Sequence, residues 1–447
     1  MNRLISFILI SLGSLFHSLA QVSPLQLNGD DAASIGIVVR NLVTGQDIVS
    51  YNSKMLLCPA STMKLVTSAA ALSTKSEEFT YTTSAYLSGK VIDGRAMGNI
   101  VIVPGGDPTL YSAHFEPEKC TFFSEIINNL KNLGVKEIAG DIIVADRYMP
   151  DQGPVSTWEL EDIFYSYGAG YFDLNFSDNV FKLNTQTGEM KPFIPDAEIE
   201  IENIGTSRNI IHGLNSDKYI VTGPKVFETG SSVTMPMNNP ATALVAALAN
   251  EIERSRIVFV DGHDPIITDS IPLTCYHSKP LPDILHSLMV RSDNMMAESA
   301  LRLLAPGQTR DSALVCEANF LKSIGVSTDF SNILDGSGLS RANSITPNFL
   351  ADVLQKMTLS PVSKTFISLF PRAGLDGTMK SFLPNTSFTK RLVMKTGSMS
   401  GVRCYAGYLL NNNGRPTHVV VIMVNKYFGS SSDVKRSIEQ FILSTLK

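Results

Sequence analysis

The order of apolar and polar positions divides the chain into stretches of different character. Residues 34–40 (Ser-Ile-Gly-Ile-Val-Val-Arg) form a β-rich run, Thr44-Gly45-Gln46 supplies a turn, and Asp47-Ile48-Val49-Ser50-Tyr51 returns, which predicts a hairpin. Pro59-Ala60 ends the extended segment, and Ser61 opens a helix that runs to about Leu72. At the other end of the chain, residues 406–410 lead into Asn411-Asn412-Asn413-Gly414, a turn signal, and then into the strongly apolar β run 417–424. Residues 431–447 predict a helix with Val434, Ile438, Phe441, Ile442 and Leu446 on one face. Its other face is not notably basic, so the helix is expected to face the core rather than a membrane. Further helical stretches are predicted at 281–305 and 346–370.

Residues 80–235 read differently. Short β-like runs such as 99–103 and 140–144 are punctuated by turn residues, as in Pro104-Gly105-Gly106-Asp107-Pro108. The economical arrangement is a mixed α/β fold of the α+β kind, a sheet built from both chain ends with a helical cluster attached. Residues 21–79 and 236–447 would form this unit, interrupted by the β-rich insert 80–235, read as two small domains.

Composition narrows the class. A chain of 447 residues is long enough for two or three domains, and 44% hydrophobic with 18% charged residues fits a folded protein with a large core. A net charge of −5 lacks the basic footprint of a nucleic-acid binder. Met1-Asn2-Arg3, an uncharged apolar run of about 13 residues and Ser18-Leu19-Ala20 before Gln21 have the form of a signal peptide. The run is short of the roughly 18 residues needed to span a bilayer, so residues 1–20 are expected to be removed and the protein exported, with no transmembrane anchor. No cysteine follows the run to serve as a lipoprotein anchor. Five cysteines leave at least one unpaired in a monomer, and no C-x-x-C or His/Cys cluster supports a metal site.

The candidate chemistry lies in three short motifs. Ser-x-x-Lys occurs four times, at Ser61, Ser387, Ser432 and Ser444. Context selects Ser61, because a helix start places Ser61 and Lys64 one turn apart on one face and offers free backbone N–H groups to an oxyanion. Ser-Asp-Asn occurs at Ser177 and Ser292. Ser177 follows an alternating β-like run, whereas Ser292 joins two helical stretches, where its hydroxyl and the Asn294 amide can point into a cleft. Lys395-Thr396-Gly397 follows an apolar strand and supplies a cation, a hydroxyl and a position without a side chain, at which a substrate backbone can approach closely. Lys395 and Thr396 can hold a carboxylate. A serine nucleophile needs a base. None of the seven histidines sits in a triad context, and Gly397-Ser398-Met399-Ser400-Gly401 lacks the central serine of a nucleophile elbow. A neutral lysine can serve instead if burial and a second cation depress its pKa. Lys64 is then the base and Lys395 the nearby cation.

The three motifs, in this order, are those of the penicillin-binding and serine β-lactamase superfamily. With Pro59-Ala60 before Ser61, Gly105-Gly106-Asp107-Pro108-Thr109-Leu110, Asp335-Gly336-Ser337-Gly338-Leu339-Ser340-Arg341, Ala373-Gly374-Leu375-Asp376-Gly377-Thr378, and Ser398 with Gly401-Val402, the chain resembles the D-alanyl-D-alanine carboxypeptidase/endopeptidase family of low-molecular-mass penicillin-binding proteins. The resemblance covers essentially the whole mature chain. It implies a transpeptidase-like domain with an antiparallel sheet and a helical cluster, and an insert between the first and second motifs. It further implies Ser61 as acylated nucleophile, Lys64 as base, Ser292 as proton relay, Asn294 as holder of the substrate amide, and Lys395 and Thr396 as carboxylate binders. Backbone N–H groups of Ser61 and Ser398 would form the oxyanion hole, with Arg341 and Asp146 recognising the peptide stem. The reaction implied is cleavage of D-Ala-D-Xaa bonds in peptidoglycan stem peptides, periplasmic, with β-lactams as covalent inhibitors and no cofactor. A β-lactamase or esterase on the same scaffold and a non-catalytic peptidoglycan-binding protein are the alternatives. The insert is expected to restrict which stems reach Ser61 rather than to supply catalytic groups.

Overall fold

A computed structural model describes residues 23–27, 32–145, 150–214, 216–224, 226–228, 230–260 and 270–446. The expected signal peptide lies outside the described residues. The first unit is a five-stranded antiparallel sheet in the order Leu392–Met399, Val402–Leu410, Pro416–Asn425, Ser34–Asn41, Asp47–Tyr51. Both chain ends therefore meet at its centre, with Ile37 opposite Ile422 and Val38 opposite Val421.

Both faces of this sheet are covered, which explains the unbroken apolar stretch 419–424 within the predicted run 417–424. Val38, Val421, Met423, Ala406 and Tyr408 pack against a helical cluster that includes Met63–Thr74, Leu281–Arg291, Asn294–Arg302 and Pro347–Met357. Ile37, Val39, Ile422, Val424 and Tyr405 pack the other way, against Val434, Ile438, Phe441 and Ile442 of the terminal helix Ser431–Thr445. A strand with alternate residues buried on opposite sides has no solvent face and shows no polar alternation. Among the described residues no helix is long and apolar enough to cross a membrane, and the five cysteines are free thiols.

The second unit is built on a larger sheet in which Thr82–Ile92 pairs with Arg95–Val103 on one side and with Ser270–His277 on the other. The strand that enters the unit and the strand that leaves it are thus antiparallel neighbours, with Thr82 opposite His277. The helices Phe122–Asn132 and Pro240–Arg254 share its core through Phe122, Ile126, Leu130, Leu244, Leu248 and Ile252. Two three-stranded sheets complete the unit, and their Phe181, Leu183, Ile210, Tyr219, Val233 and Met235 join that same core. The boundary expected at 235/236 therefore falls inside the second unit, which continues to His277. The helix Pro240–Arg254, just past that boundary, belongs to the insert's own core.

Candidate active site

Ser61 lies in the short 3-10 turn Ala60–Thr62 that leads into the helix Met63–Thr74. Ala60 takes a left-handed conformation, with φ of 45°, and this kink sets Ser61 at the helix mouth. Two glycines make room for it. A Cβ on Gly397 would stand 2.6 Å from the Pro59 carbonyl oxygen and 3.1 Å from Ser61 N. One on Gly338, whose φ is +77°, would stand 2.0 Å from the Ala60 carbonyl oxygen. Close approach at Gly397 is thus made by the chain's own Pro59–Ser61 backbone, where the sequence reading assigned it to a substrate.

Lys64 is fully buried. Its Nζ stands 3.0 Å from Ser61 Oγ, 2.5 Å from Asn294 Oδ1 and 2.6 Å from the Ser337 carbonyl oxygen. Asn294 is held in this orientation because its Nδ2 donates to the Tyr167 carbonyl at 2.7 Å. The consequence is stereochemical. A neutral amine has two N–H bonds and one lone pair. Asn294 Oδ1 and Ser337 O can only accept, so they take both hydrogens and leave the lone pair for Ser61 Oγ–H. Burial brings Lys64 down to about 8, against the pull of Asp335, Asp293 and Glu298, which favour its charged form. Burial, and not the second cation expected at Lys395, lowers Lys64. The repulsion falls on Lys395, which burial and the charge of Lys64 together hold well below the usual lysine range.

Ser292 caps the helix Leu281–Arg291 in a left-handed conformation with φ of 66°, and the next helix begins at Asn294. Asp293 caps that helix by accepting from Met296 N at 2.7 Å. The sharp turn aims Ser292 and Asn294 into one cleft. Lys395 Nζ donates to Ser292 Oγ at 2.9 Å and to the Thr396 carbonyl at 2.7 Å, leaving the Ser292 proton free to be given elsewhere. Lys395, Thr396, Gly397 and Ser398 lie on the edge strand of the sheet. Leu392 and Met394 donate their N–H groups off that edge, to Phe388 and Pro371. With a two-residue period, Ser398 N–H faces the same way.

Ser61, Ser292, Asn294, Thr396 and Ser398 line a cleft of about 700 Å³, whose rim carries Glu159, Asp162, Arg341 and Arg403. A neighbouring cavity of about 840 Å³ shares Tyr167, Ser292, Asn294 and Thr378 with it. Arg341 reaches the rim but is engaged there: its Nε donates to Glu159 Oε2 at 2.7 Å and its Nη1 to the Ser400 carbonyl at 3.2 Å. Asp146 lies outside the described residues. The competing motifs are elsewhere. Ser432 and Ser444 sit on the terminal helix. Ser177 lies in a left-handed turn whose Asn179 amide is fully buried and donates to Gly170 O and Asn175 Oδ1.

Several participants were not assigned from sequence. The Ser337 and Tyr167 carbonyls are backbone groups, which no residue pattern announces. Asp335 is a buried carboxylate that accepts from Trp158 Nε1, Gly338 N, Ser340 N and Asn343 Nδ2 at 2.7–2.8 Å. The turn-forming Asp-Gly-Ser-Gly at 335–338 was the available signal for this loop. Tyr167, Trp158 and Glu159 come from the insert, so the insert supplies part of the site's wall and its hydrogen bonds.

The sequence matches the D-Ala-D-Ala carboxypeptidase 3 (S13) family over residues 19–445. It is similar to the D-alanyl-D-alanine carboxypeptidase DacB of Haemophilus influenzae, at 26% identity over 439 residues covering 91% of this chain and 88% of that one. The fold is similar to the crystal structure of penicillin binding protein 4 (dacB) from Haemophilus influenzae, with a TM-score of 0.79 at 22% identity, covering 95% of this chain and 97% of that one. It is also similar to that protein complexed with a β-lactam, with a TM-score of 0.74 at 22% identity over 94% and 97% of the two chains. A match of this extent, on a chain whose three motifs converge on one cleft, is decisive: the chain belongs to the D-Ala-D-Ala carboxypeptidase 3 (S13) family.

Proposed function

We propose that this serine D,D-peptidase opens D-Ala-D-Xaa bonds of peptidoglycan stem peptides, with Ser61 as nucleophile and Lys64 as its general base. Ser61 Oγ attacks the carbonyl carbon of the penultimate D-Ala while its proton passes to the Lys64 lone pair. Backbone N–H groups of Ser61 and Ser398 receive the developing oxyanion. The C–N bond then breaks, and the leaving amine takes the Ser292 proton, which Lys395 and the protonated Lys64 can replace. Water cleaves the resulting ester and restores Ser61. Asn294 holds the amide of the acyl side, and Lys395 and Thr396 hold the carboxylate of the leaving residue.

The observation that carries this reading is the coordination of Lys64, whose two N–H bonds are taken by pure acceptors so that its free electron pair meets Ser61 Oγ at 3.0 Å. The two adjoining cavities give room for a cross-linked stem as well as a single one, which supports endopeptidase alongside carboxypeptidase action. Arg341, and Asp146 by resemblance, would contact the stem, and β-lactams would acylate Ser61 as mimics of the D-Ala-D-Ala amide. The segment 1–20 directs export to the periplasm. Intact-mass analysis after benzylpenicillin tests the nucleophile: the expected adduct is absent in Ser61→Ala and present in Ser387→Ala, Ser432→Ala and Ser444→Ala. An adduct that survives Ser61→Ala overturns the mechanism. Mass analysis of products from cross-linked and uncross-linked muropeptides separates the two activities.

A further inference from the structure

We propose that Glu298 is a positioning residue for Lys64, acting through the Ser337 carbonyl. Glu298 Oε1 accepts from Gly336 N at 3.1 Å and from Ser337 N at 2.9 Å. The same loop is fastened at its other polar groups, with Gly336 O accepting from Thr67 Oγ1 at 2.9 Å and Gly338 N donating to Asp335. The Ser337 carbonyl is then the free acceptor of the turn, and it meets Lys64 Nζ at 2.6 Å. The loop is pressed onto the helix Asn294–Arg302, since a Cβ on Gly336 would stand 2.9 Å from Ala297 O and from Leu301 Cβ.

One helix face therefore controls both acceptors of the Lys64 hydrogens. Asn294 supplies one directly. Glu298, one turn further along the same face, supplies the other through the loop. The groups facing Glu298 come from three other elements: Lys64 on the first helix, Asp335 in the loop, and Arg310 with Glu317 on the helix Arg310–Ser323. Arg310 Nε approaches Glu298 Oε2 at 3.7 Å, and that oxygen has no hydrogen-bond partner. Burial pushes the Glu298 carboxyl up to about 7, and its charged form in turn raises Lys64. A buried acid that merely balanced Arg310 would not need to hold two consecutive amides of the loop that faces the lysine.

The inference rests on Lys64 being the base, and the test separates the two. The second-order rate of acylation by a fluorescent penicillin is measured across pH for wild type, Glu298→Gln, Glu298→Asp, Glu317→Gln and Lys64→Ala, each with a thermal melt. Glu298→Gln keeps the shape and loses the charge. Its acidic limb is expected to move to lower pH, and its plateau to fall about three- to tenfold as a charge-assisted pair of hydrogen bonds becomes neutral. Glu298→Asp keeps the charge and shortens the reach, so its limb stays in place while its plateau falls. Glu317→Gln, whose carboxyl neighbours Glu298 and Thr67 but bonds no amide of the loop, is expected to move both less than Glu298→Gln does. A Gln variant with the wild-type limb, an Asp variant with the full plateau, or equal shifts from Glu298→Gln and Glu317→Gln would each overturn the proposal. If Lys64→Ala acylates normally, the base assignment itself fails. If it is silent while the Glu298 variants match wild type, only the positioning role falls.

Discussion

The indole Nε1 of Trp158 donates to Asp335 Oδ2 at 2.8 Å, so the only tryptophan of the chain ties the insert to the loop that faces Lys64. Trp158→Phe keeps most of the packing and leaves one oxygen of a buried carboxylate short of a donor. A hydrogen bond to a charged group is worth about 1.5–3 kcal/mol. The variant is expected to lose stability of that order in a denaturant titration and to acylate more slowly. A deletion joining residue 79 to 236 removes Trp158, Tyr167 and the strand partner of Ser270–His277 together. It is expected to lose penicillin labelling, in contrast to an insert that only screens substrates.

The pH profile follows from Lys64. A base must be unprotonated, so the acylation rate is expected to rise about tenfold per unit up to about pH 8 and then level off. The stability sign runs in parallel. The unfolded lysine keeps its proton up to its ordinary 10.5, so between about 8 and 10.5 the unfolded chain binds more protons than the folded one. Stability at this site is therefore expected to increase with pH across that window. Stopped-flow acylation and melts over pH 6–10.5 check both statements.

Ser292→Ala is expected to slow acylation by roughly 10²–10⁴, the range for loss of a positioned proton donor. Ser177 itself lines neither cavity, although Asp178 beside it borders the second one, and Ser177→Ala is expected to leave the rate unchanged. Parallel penicillin-labelling time courses distinguish them, and equal slowing would mean that the helix junction is not the relay.

Gly397→Ala and Gly338→Ala test the seating of Ser61 without touching a polar side chain. Each new methyl meets the Pro59–Ala60 backbone at 2.0–2.6 Å, and residue 338 also carries a positive φ. Overpacking costs about 1–3 kcal/mol. Both variants are expected to melt at lower temperature and to acylate more slowly. A full acylation rate in Gly397→Ala would show that the nucleophile turn is free to shift.

The parts of the site legible in the sequence were those carried by side chains in short motifs. Ser61 and Lys64 share a helix turn, and Ser292 and Asn294 flank a junction, so local spacing alone brings each pair together. The sheet was legible because β-rich runs such as 34–40, 406–410 and 417–424 lie near the two ends. Two things were not. The Ser337 and Tyr167 carbonyls act through the backbone, and any residue type provides a carbonyl. The insert's true return to the catalytic unit at Ser270–His277 depends on pairing with Thr82–Ile92 nearly two hundred positions earlier, a long-range register that local composition does not carry. Glu298 is buried, yet nothing in its sequence neighbours announces it.

The central strand pair has a consequence for biosynthesis. Ser34–Asn41 finds its partner Pro416–Asn425 only when almost the whole chain has been made. Until then the first strand has only Asp47–Tyr51 to pair with, and Val38 and Val39 face water. The second unit closes earlier, since its entry and exit strands are complete by His277. Contacts this distant in sequence slow folding and leave apolar edges exposed while they wait. A chain made from its first residue onward would thus hold a finished insert beside an open half-sheet. Acylating activity would arise late and abruptly, when the last two strands dock.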